Sequence, residues 1–272
     1  MSLHRFYLPP AHCQGSELIL SEAEAHHALH VLRVAPGQRV AVLDGEGHEH
    51  HCEVRATDRR TVTLRLLQRN ILPPLPYQVT LLQAIPKGKT MDLIVQKATE
   101  LGVYRIVPLL SERIALRLTE AVAAAKTEKW RATAIEAVKQ CGSAWLPRVE
   151  APIAIRDFLA VGERLDLSLI ASLQPGSRHP RERFQTHLAE SGGPPKSLGV
   201  WVGPEGDFTP AEIHAITASG ALPVSLGQLI LRTETAAIYC LSVVNYELQA
   251  QSDTSSGRTS RHSSWSSHTI AG

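Results

Sequence analysis

Over the first seventy residues apolar positions recur with a period of two. "QRVAVLDGEGHEHHCEVRAT" (38–57) alternates apolar and polar side chains around Asp44-Gly45, and "TVTLRLL" (61–67) repeats the rhythm. Alternation turns one strand face to a core and the other to water, and an Asp-Gly pair between two such runs predicts a hairpin. One segment breaks the pattern. "SEAEAHHALHVLR" (21–33) has helical spacing, with Ser21 and Glu24 placed as a capping box and Pro36-Gly37 as the stop. Residues 1 to about 70 therefore predict a small β-barrel with one short helix.

"NILPPLPY" (70–77) follows, a stiff, extended connector in which three prolines fall in four positions. The boundary is placed here, giving domains over 1–72 and 73–250. Beyond it the rhythm changes. The apolar runs "QVTLLQAI", "RIVPLL", "LSLIAS", "LGVWVG" and "PVSL" alternate with helical patterns at 89–101, about 119–140, 210–219 and 234–249. That alternation predicts an α/β domain with a mostly parallel sheet, helices on both faces, and ligands beyond the C-terminal strand ends. The Ser-rich stretch 251–272 has almost no apolar content and predicts a disordered tail.

Two stretches carry candidate chemistry. In "VWVGPEGDFTPAEI" (200–213) a buried strand breaks into Gly203-Pro204-Glu205-Gly206, and Thr209-Pro210-Ala211-Glu212 then reads as N-cap, N1 proline and capping-box glutamate. In "SLGQLILRTETAAI" (225–238) a strand ends at Leu226-Gly227, and Thr233 can cap a helix whose apolar positions Ile238, Leu241 and Leu248 share a face. Arg232 stands just before that helix, where a cation meets the positive end of the dipole. A nearby anionic ligand or developing negative charge would justify it. No G-x-G-x-x-G follows the first strand and no G-x-x-x-x-G-K-[ST] occurs, so those phosphate cradles are excluded.

Charge adds a detail. The chain carries a formal net charge of +2, with eight Arg and eight Asp/Glu in residues 1–72, but eleven Lys/Arg against six Asp/Glu in residues 86–148. Positive charge thus concentrates centrally, around Lys87, Lys89 and Lys97. Cys13, Cys52, Cys141 and Cys240 form no C-x-x-C pair and are expected as single reduced thiols. "HEHH" (48–51) is expected as an exposed polar turn. His26 and His30 share a helix face without a third ligand, so no metal site is expected. No apolar run approaches the ~20 residues of a membrane span, and a cytoplasmic location is expected.

"VGPEGDFTPAEI" followed by "SLGQLILRTETAAI" resembles the two signature loops of the knotted SPOUT-class RNA methyltransferases, and most of all the ribosomal RNA small-subunit methyltransferase E family. "KGKTMDLIVQKATELGVYRIVPLLSER" (87–113) is similar to that family's central motif, and "HRFYLPP" and "HVLRVAPGQRVAVLDGEG" to its N-terminal domain. The resemblance covers about residues 4–249. It implies a PUA-like β-barrel domain before an α/β trefoil-knot domain, and a homodimer. It also implies methyl transfer from S-adenosyl-L-methionine to N3 of one uridine in 16S ribosomal RNA of the small subunit.

Carried over by position, the implied cofactor residues are Ser172, Leu173, Val202, Gly203, Pro204, Glu205, Gly206, Leu226, Gly227, Leu231, Arg232, Thr233, Glu234 and Thr235. Arg232 is the catalytic candidate, stabilising charge on the uracil carbonyls, while Glu205 or Glu234 takes the proton or orients the arginine. His30, Arg33, Lys97, Arg113 and Gln140 are the implied RNA contacts. The chain departs from the family at four places. Asp207 replaces a glycine, and His30, Ser143 and Leu229 stand where arginines are usual. A carboxylate at 207 is either tolerated at the rim or tunes the surroundings of a cationic sulfonium. The lost arginines leave open a member that binds RNA without catalysis, or a sister enzyme with another target.

Overall fold

The computed structural model describes residues 3–113, 119–174 and 176–255. Strands β1 (His4–Tyr7), β2 (Glu17–Leu20), β3 (Arg39–Leu43), β4 (His48–Thr57) and β5 (Val62–Ile71) form one sheet in the order β1-β3-β4-β5-β2. Only β1 and β3 pair parallel. As the alternation predicts, Val40, Val42, Cys52, Val54, Val62 and Leu64 pack inward with Phe6, Leu18 and Leu20. The "HEHH" run is not an exposed turn. It lies within β4, and His50 is buried on the inner face, 1% exposed, opposite Arg69. Burial pushes its pKa below the ordinary imidazole value, and Asp44 only partly offsets this.

The predicted capping box also fails to form. Helix α1 (Glu22–His26) passes into a π-helical turn over His27–Val31, and Ser21 makes no side-chain cap. Glu24 is engaged elsewhere: it accepts the Tyr7 N–H (3.3 Å) and a Lys139 Nζ–H (2.7 Å).

The second sheet is parallel throughout. It contains β6 (Gln78–Ala84), β7 (Arg105–Leu110), β8 (Arg148–Val149), β9 (Ile153–Ala154), β10 (Leu167–Ala171), β11 (Ser197–Val202) and β12 (Leu222–Val224). The order is β12-β10-β11-β6-β7-β8, with β9 also on β7. Successive residues of a strand serve opposite layers. Leu81 joins Ile94, Ile106, Trp130 and Leu241 beneath α2 (Thr90–Glu100), α3 (Glu120–Cys141) and α7 (Thr233–Ser255), whereas Leu82 joins Trp201, Phe208 and Ile216 beneath α4 (Ile155–Ala160) and α6 (Pro210–Ala218). Helix α5 (Pro180–Ser191) completes the set. The chain builds β7 and β8 on one side of β6 and β10 to β12 on the other, so the strand order reverses between β6 and β11.

Three expectations are corrected. Strand β12 ends at Val224, two residues before the predicted Leu226-Gly227, because the Ser225 N–H donates to Arg178 O (2.9 Å) and leaves the ladder. Helix α7 runs to Ser255, five residues into the predicted tail, whose remainder (256–272) lies outside the described residues. Helices α4 and α5 were not expected. The three buried thiols are held protonated by burial, Cys13 at about 11 and Cys52 and Cys240 at about 12.

The two sheets meet at a seam. The Gly47 N–H donates to Ala144 O (3.0 Å), the Leu146 N–H to Gly45 O (3.0 Å) and the Trp145 indole to Leu72 O (3.0 Å). A Cβ at Gly47 (φ +98°) would lie 2.5 Å from the Trp145 ring, so glycine is required there. Beside this seam the buried Lys139 ammonium reaches Glu24 and Glu136, each at 2.7 Å. Burial pulls its pKa down, but the two carboxylates outweigh burial and raise it above the ordinary 10.5.

Lys139→Met strands Glu24 half-buried without its cation, and is expected to lower unfolding stability by ~3 kcal/mol in urea titration at pH 7. A raised lysine pKa means that the native state holds the proton more tightly. The contribution is therefore complete below pH 10.5 and fades as pH rises through the higher native value.

Candidate functional site

The loops leaving β10, β11 and β12 surround a cleft which, with the solvent at its mouth, encloses about 600 Å³. It lies at the C-terminal strand ends, as parallel topology dictates. Its first wall follows β11. The Asp207 N–H closes a turn on Pro204 O (2.9 Å), and Asp207 takes a left-handed φ of 62°. A Cβ on Gly203 would sit 2.9 Å from Asp207 Oδ1 and 3.2 Å from the Asp207 Cα and Phe208 N, so a side chain here would displace the Asp207 carboxylate and press on the turn. Glu205 Oε1 accepts the Lys87 N–H (2.9 Å), and the Arg113 guanidinium donates to Gly206 O.

Behind this wall the predicted capping box does form. The Glu212 N–H donates to Thr209 Oγ1 (3.2 Å) and the Thr209 N–H to Glu212 Oε2 (2.8 Å). The buried Glu212 carboxylate also accepts the Ser111 hydroxyl (3.0 Å) and the Glu112 N–H (2.8 Å), tying the exit of β7 to α6.

The second wall follows β12. Gly227 has φ +114°, a conformation reserved for glycine. Thr233 does not cap α7. The Ala236 N–H donates to Arg232 O (2.8 Å), so the helix is entered from Arg232. The Thr233 hydroxyl instead donates to Gly203 O (2.6 Å) and accepts from Gln83 Nε2 (3.0 Å), while Gln83 also donates to Ala84 O (2.9 Å). One hydroxyl thus joins the two signature loops to the end of β6. The third wall is held by the Ser172 N–H, which donates to Val224 O (3.0 Å).

Of the sequence-predicted residues, the cleft gathers Ser172, Leu173, Val202, Gly203, Pro204, Glu205, Leu226, Gly227, Leu231 and Thr233. Gly206, Arg232, Glu234 and Thr235 stand outside its lining. Arg232 is exposed, and its guanidinium has no partner among the described residues. Five lining residues lie outside the implied cofactor set: Ala171, Asp207, Leu229, Ile230 and Ala236. A signal existed for two of them. The run Leu229-Ile230-Leu231 is too apolar for a free loop, and Leu229 and Ile230 are 78% and 82% exposed.

His30 and Arg33 are exposed at the end of the first-sheet helical segment, and Gln140 is exposed beside Lys139, the residue that reaches Glu24 of α1. Lys97 is paired with Glu100 on its own helix (2.8 Å), and Arg113 is spent on the Gly206 carbonyl.

Among the described residues, Glu205 and Asp207 are the only ionisable side chains lining the cleft. Apolar walls with strand-end peptide groups suit a flat heterocycle, and two carboxylates with no opposing cation suit a positively charged ligand. Among the described residues, no group of three His, Cys, Asp or Glu is arranged to hold a metal ion, and no helix is long and apolar enough to cross a membrane.

Comparison with known proteins points the same way. Residues 73–245 match the RNA methyltransferase domain family, and residues 20–67 match the RNA methyltransferase PUA domain family. The chain is 30% identical over 229 residues to the ribosomal RNA small subunit methyltransferase E of Bacillus subtilis, covering 83% of this chain and 88% of that protein. The Legionella pneumophila protein Lpg2936, solved with the bound cofactor SAM, superposes with a TM-score of 0.81 at 31% identity, over 90% of this chain and 98% of that one. The ribosomal RNA small subunit methyltransferase E of Neisseria gonorrhoeae, bound to S-adenosyl methionine, gives 0.76 at 30% identity, over 90% and 98%.

Thr233→Val keeps the shape of the side chain but deletes the hydroxyl, leaving Gln83 Nε2 and Gly203 O short of a partner. An expected cost of ~2 kcal/mol in thermal or chemical unfolding follows, and Thr233→Ser should recover most of it.

Proposed function

The chain belongs to the ribosomal RNA small subunit methyltransferase E family, and from that premise we propose that it methylates N3 of one uridine in 16S ribosomal RNA, using S-adenosyl-L-methionine. The observation that carries the reading is the cleft: apolar walls, strand-end peptides and two carboxylates with no opposing cation in its lining among the described residues. When bound, S-adenosylmethionine supplies an electrophilic methyl group on a positively charged sulfur. Backbone groups at 202–205, 226–227 and 231 would hold its adenosine, with Gly203 and Gly227 leaving the room.

The remaining chemistry falls to the chain's own residues. N3 of uridine is a weakly acidic imide N–H, and its proton must leave before or as the nitrogen attacks. Negative charge then spreads over the flanking carbonyls. Arg232 is suited to meet it, because it lies between the cleft-lining Leu231 and Thr233, is exposed, and has no carboxylate partner among the described residues. Glu205, with Oε1 already fixed by the Lys87 N–H, or Glu234 next to Arg232, takes the proton or orients the arginine.

RNA is engaged from both sides of the seam, by His30 and Arg33 on one side and Gln140 on the other. Arg113 acts by shaping the cofactor loop, and Lys97, neutralised by Glu100, adds little. The protein works as a homodimer in the cytoplasm. Tyr239 and Tyr246, exposed at i and i+7 on α7, supply a face for pairing. The domains divide near residue 72, between β5 and β6.

Mass spectrometry of 16S ribosomal RNA from a strain lacking the gene tests the reading. Loss of 3-methyluridine is expected, and unchanged 3-methyluridine overturns it. Arg232→Ala is expected to slow methylation by roughly 100-fold or more, with cofactor affinity within about threefold in calorimetry. A full rate would remove Arg232 from the mechanism. Retained RNA binding without any cofactor binding would favour the non-catalytic reading that Leu229, Ser143 and His30 raise.

A further inference from the structure

Asp207 stands in an unusual setting. It occupies a left-handed backbone position, one that few residues other than glycine adopt and where Asp and Asn are among the exceptions. Its carboxylate is fixed rather than free. Oδ1 accepts the Phe208 N–H at 2.8 Å and lies over Gly203, 2.9 Å from where a Cβ would be. Oδ2 has no partner among the described residues, and the side chain lines the cleft. The other carboxylate of the cleft, Glu205, already receives the Lys87 N–H. Among the described residues no lysine, arginine or histidine lines the cleft, and the nearby Arg113 guanidinium is engaged by the Gly206 carbonyl.

We propose that Asp207 makes the cleft selective for the charge of its ligand, holding the cationic cofactor S-adenosylmethionine in preference to the neutral S-adenosylhomocysteine left after transfer. The inference rests on the functional reading above and concerns one residue of that site. A fixed anion facing a bound sulfonium would be worth about a factor of ten in affinity at a partly solvated site, and almost nothing toward a neutral thioether. The two ligands differ by a methyl group and one positive charge, so apolar walls alone discriminate weakly between them. The attraction weakens as the sulfur loses its charge, so it favours binding and product exchange and does not lower the barrier to transfer.

The test is calorimetric titration of the purified full chain with each ligand. Asp207→Asn keeps the shape, the Oδ1 acceptor and the tolerance of left-handed backbone, and removes only the charge. It is expected to weaken S-adenosylmethionine about tenfold while S-adenosylhomocysteine stays within about twofold, and raising the salt concentration should narrow the wild-type preference. Asp207→Gly, which also accepts this backbone, should give the same change in ratio if the Asn variant folds poorly. An unchanged ratio in both variants, in a wild type that binds S-adenosylmethionine, overturns this inference alone. A wild type that binds neither ligand overturns the functional reading, and the inference with it.

Discussion

A single hydroxyl carries the architecture of the site. Thr233 opens α7, yet its side chain is turned away from the helix, giving its proton to Gly203 O and receiving one from Gln83 Nε2. Gln83 is fully buried near the end of β6, and Gly203 is the first residue past β11, so this contact spans the line where the strand order reverses. Loops beyond strand ends cannot order one another through hydrophobic contact alone, because their backbone groups still need partners. The buried Gln83-Thr233-Gly203 chain supplies those partners at low dielectric, where breaking a hydrogen bond is costly, although Gln83 Oε1 itself finds no partner among the described residues.

The carboxylates divide the work around this hub by burial. Glu212 is shut in and accepts from three donors, the Thr209 and Glu112 N–H groups and the Ser111 hydroxyl, and so acts as a structural post beneath the first loop. Glu205 and Asp207 each have one oxygen committed to a backbone N–H and face the cleft. Arg113 and Arg232 divide in the same way: one is consumed by a carbonyl of the loop, the other left unengaged at the rim among the described residues.

Much of this was legible in the chain. Period-two alternation marked β3 to β5, the continuous apolar runs marked the parallel strands, and the glycine turns marked the ends where the cleft lies. What escaped was non-local. Glu24 three residues after Ser21 is a sound local cap, but it pairs with a lysine 115 residues away, and a buried ion pair outcompetes a surface cap. Thr233 is a sound local N-cap too, but its partners are 30 and 150 residues distant. Helix α5 escaped because Phe184 is its only fully buried large side chain, which leaves no periodicity to read. His50 escaped because polarity suggested exposure, whereas its burial is tolerated beside Asp44 and Arg69.

The seam between the sheets has a mechanical consequence. Two backbone hydrogen bonds, the Trp145 indole bond and the Glu24–Lys139 pair act in parallel across it, and Gly47 lets the Trp145 ring lie flush against the turn. To pivot one unit against the other, all of these must shear together. The joint therefore resists pivoting as a unit, because no one of these bonds can yield without straining the others.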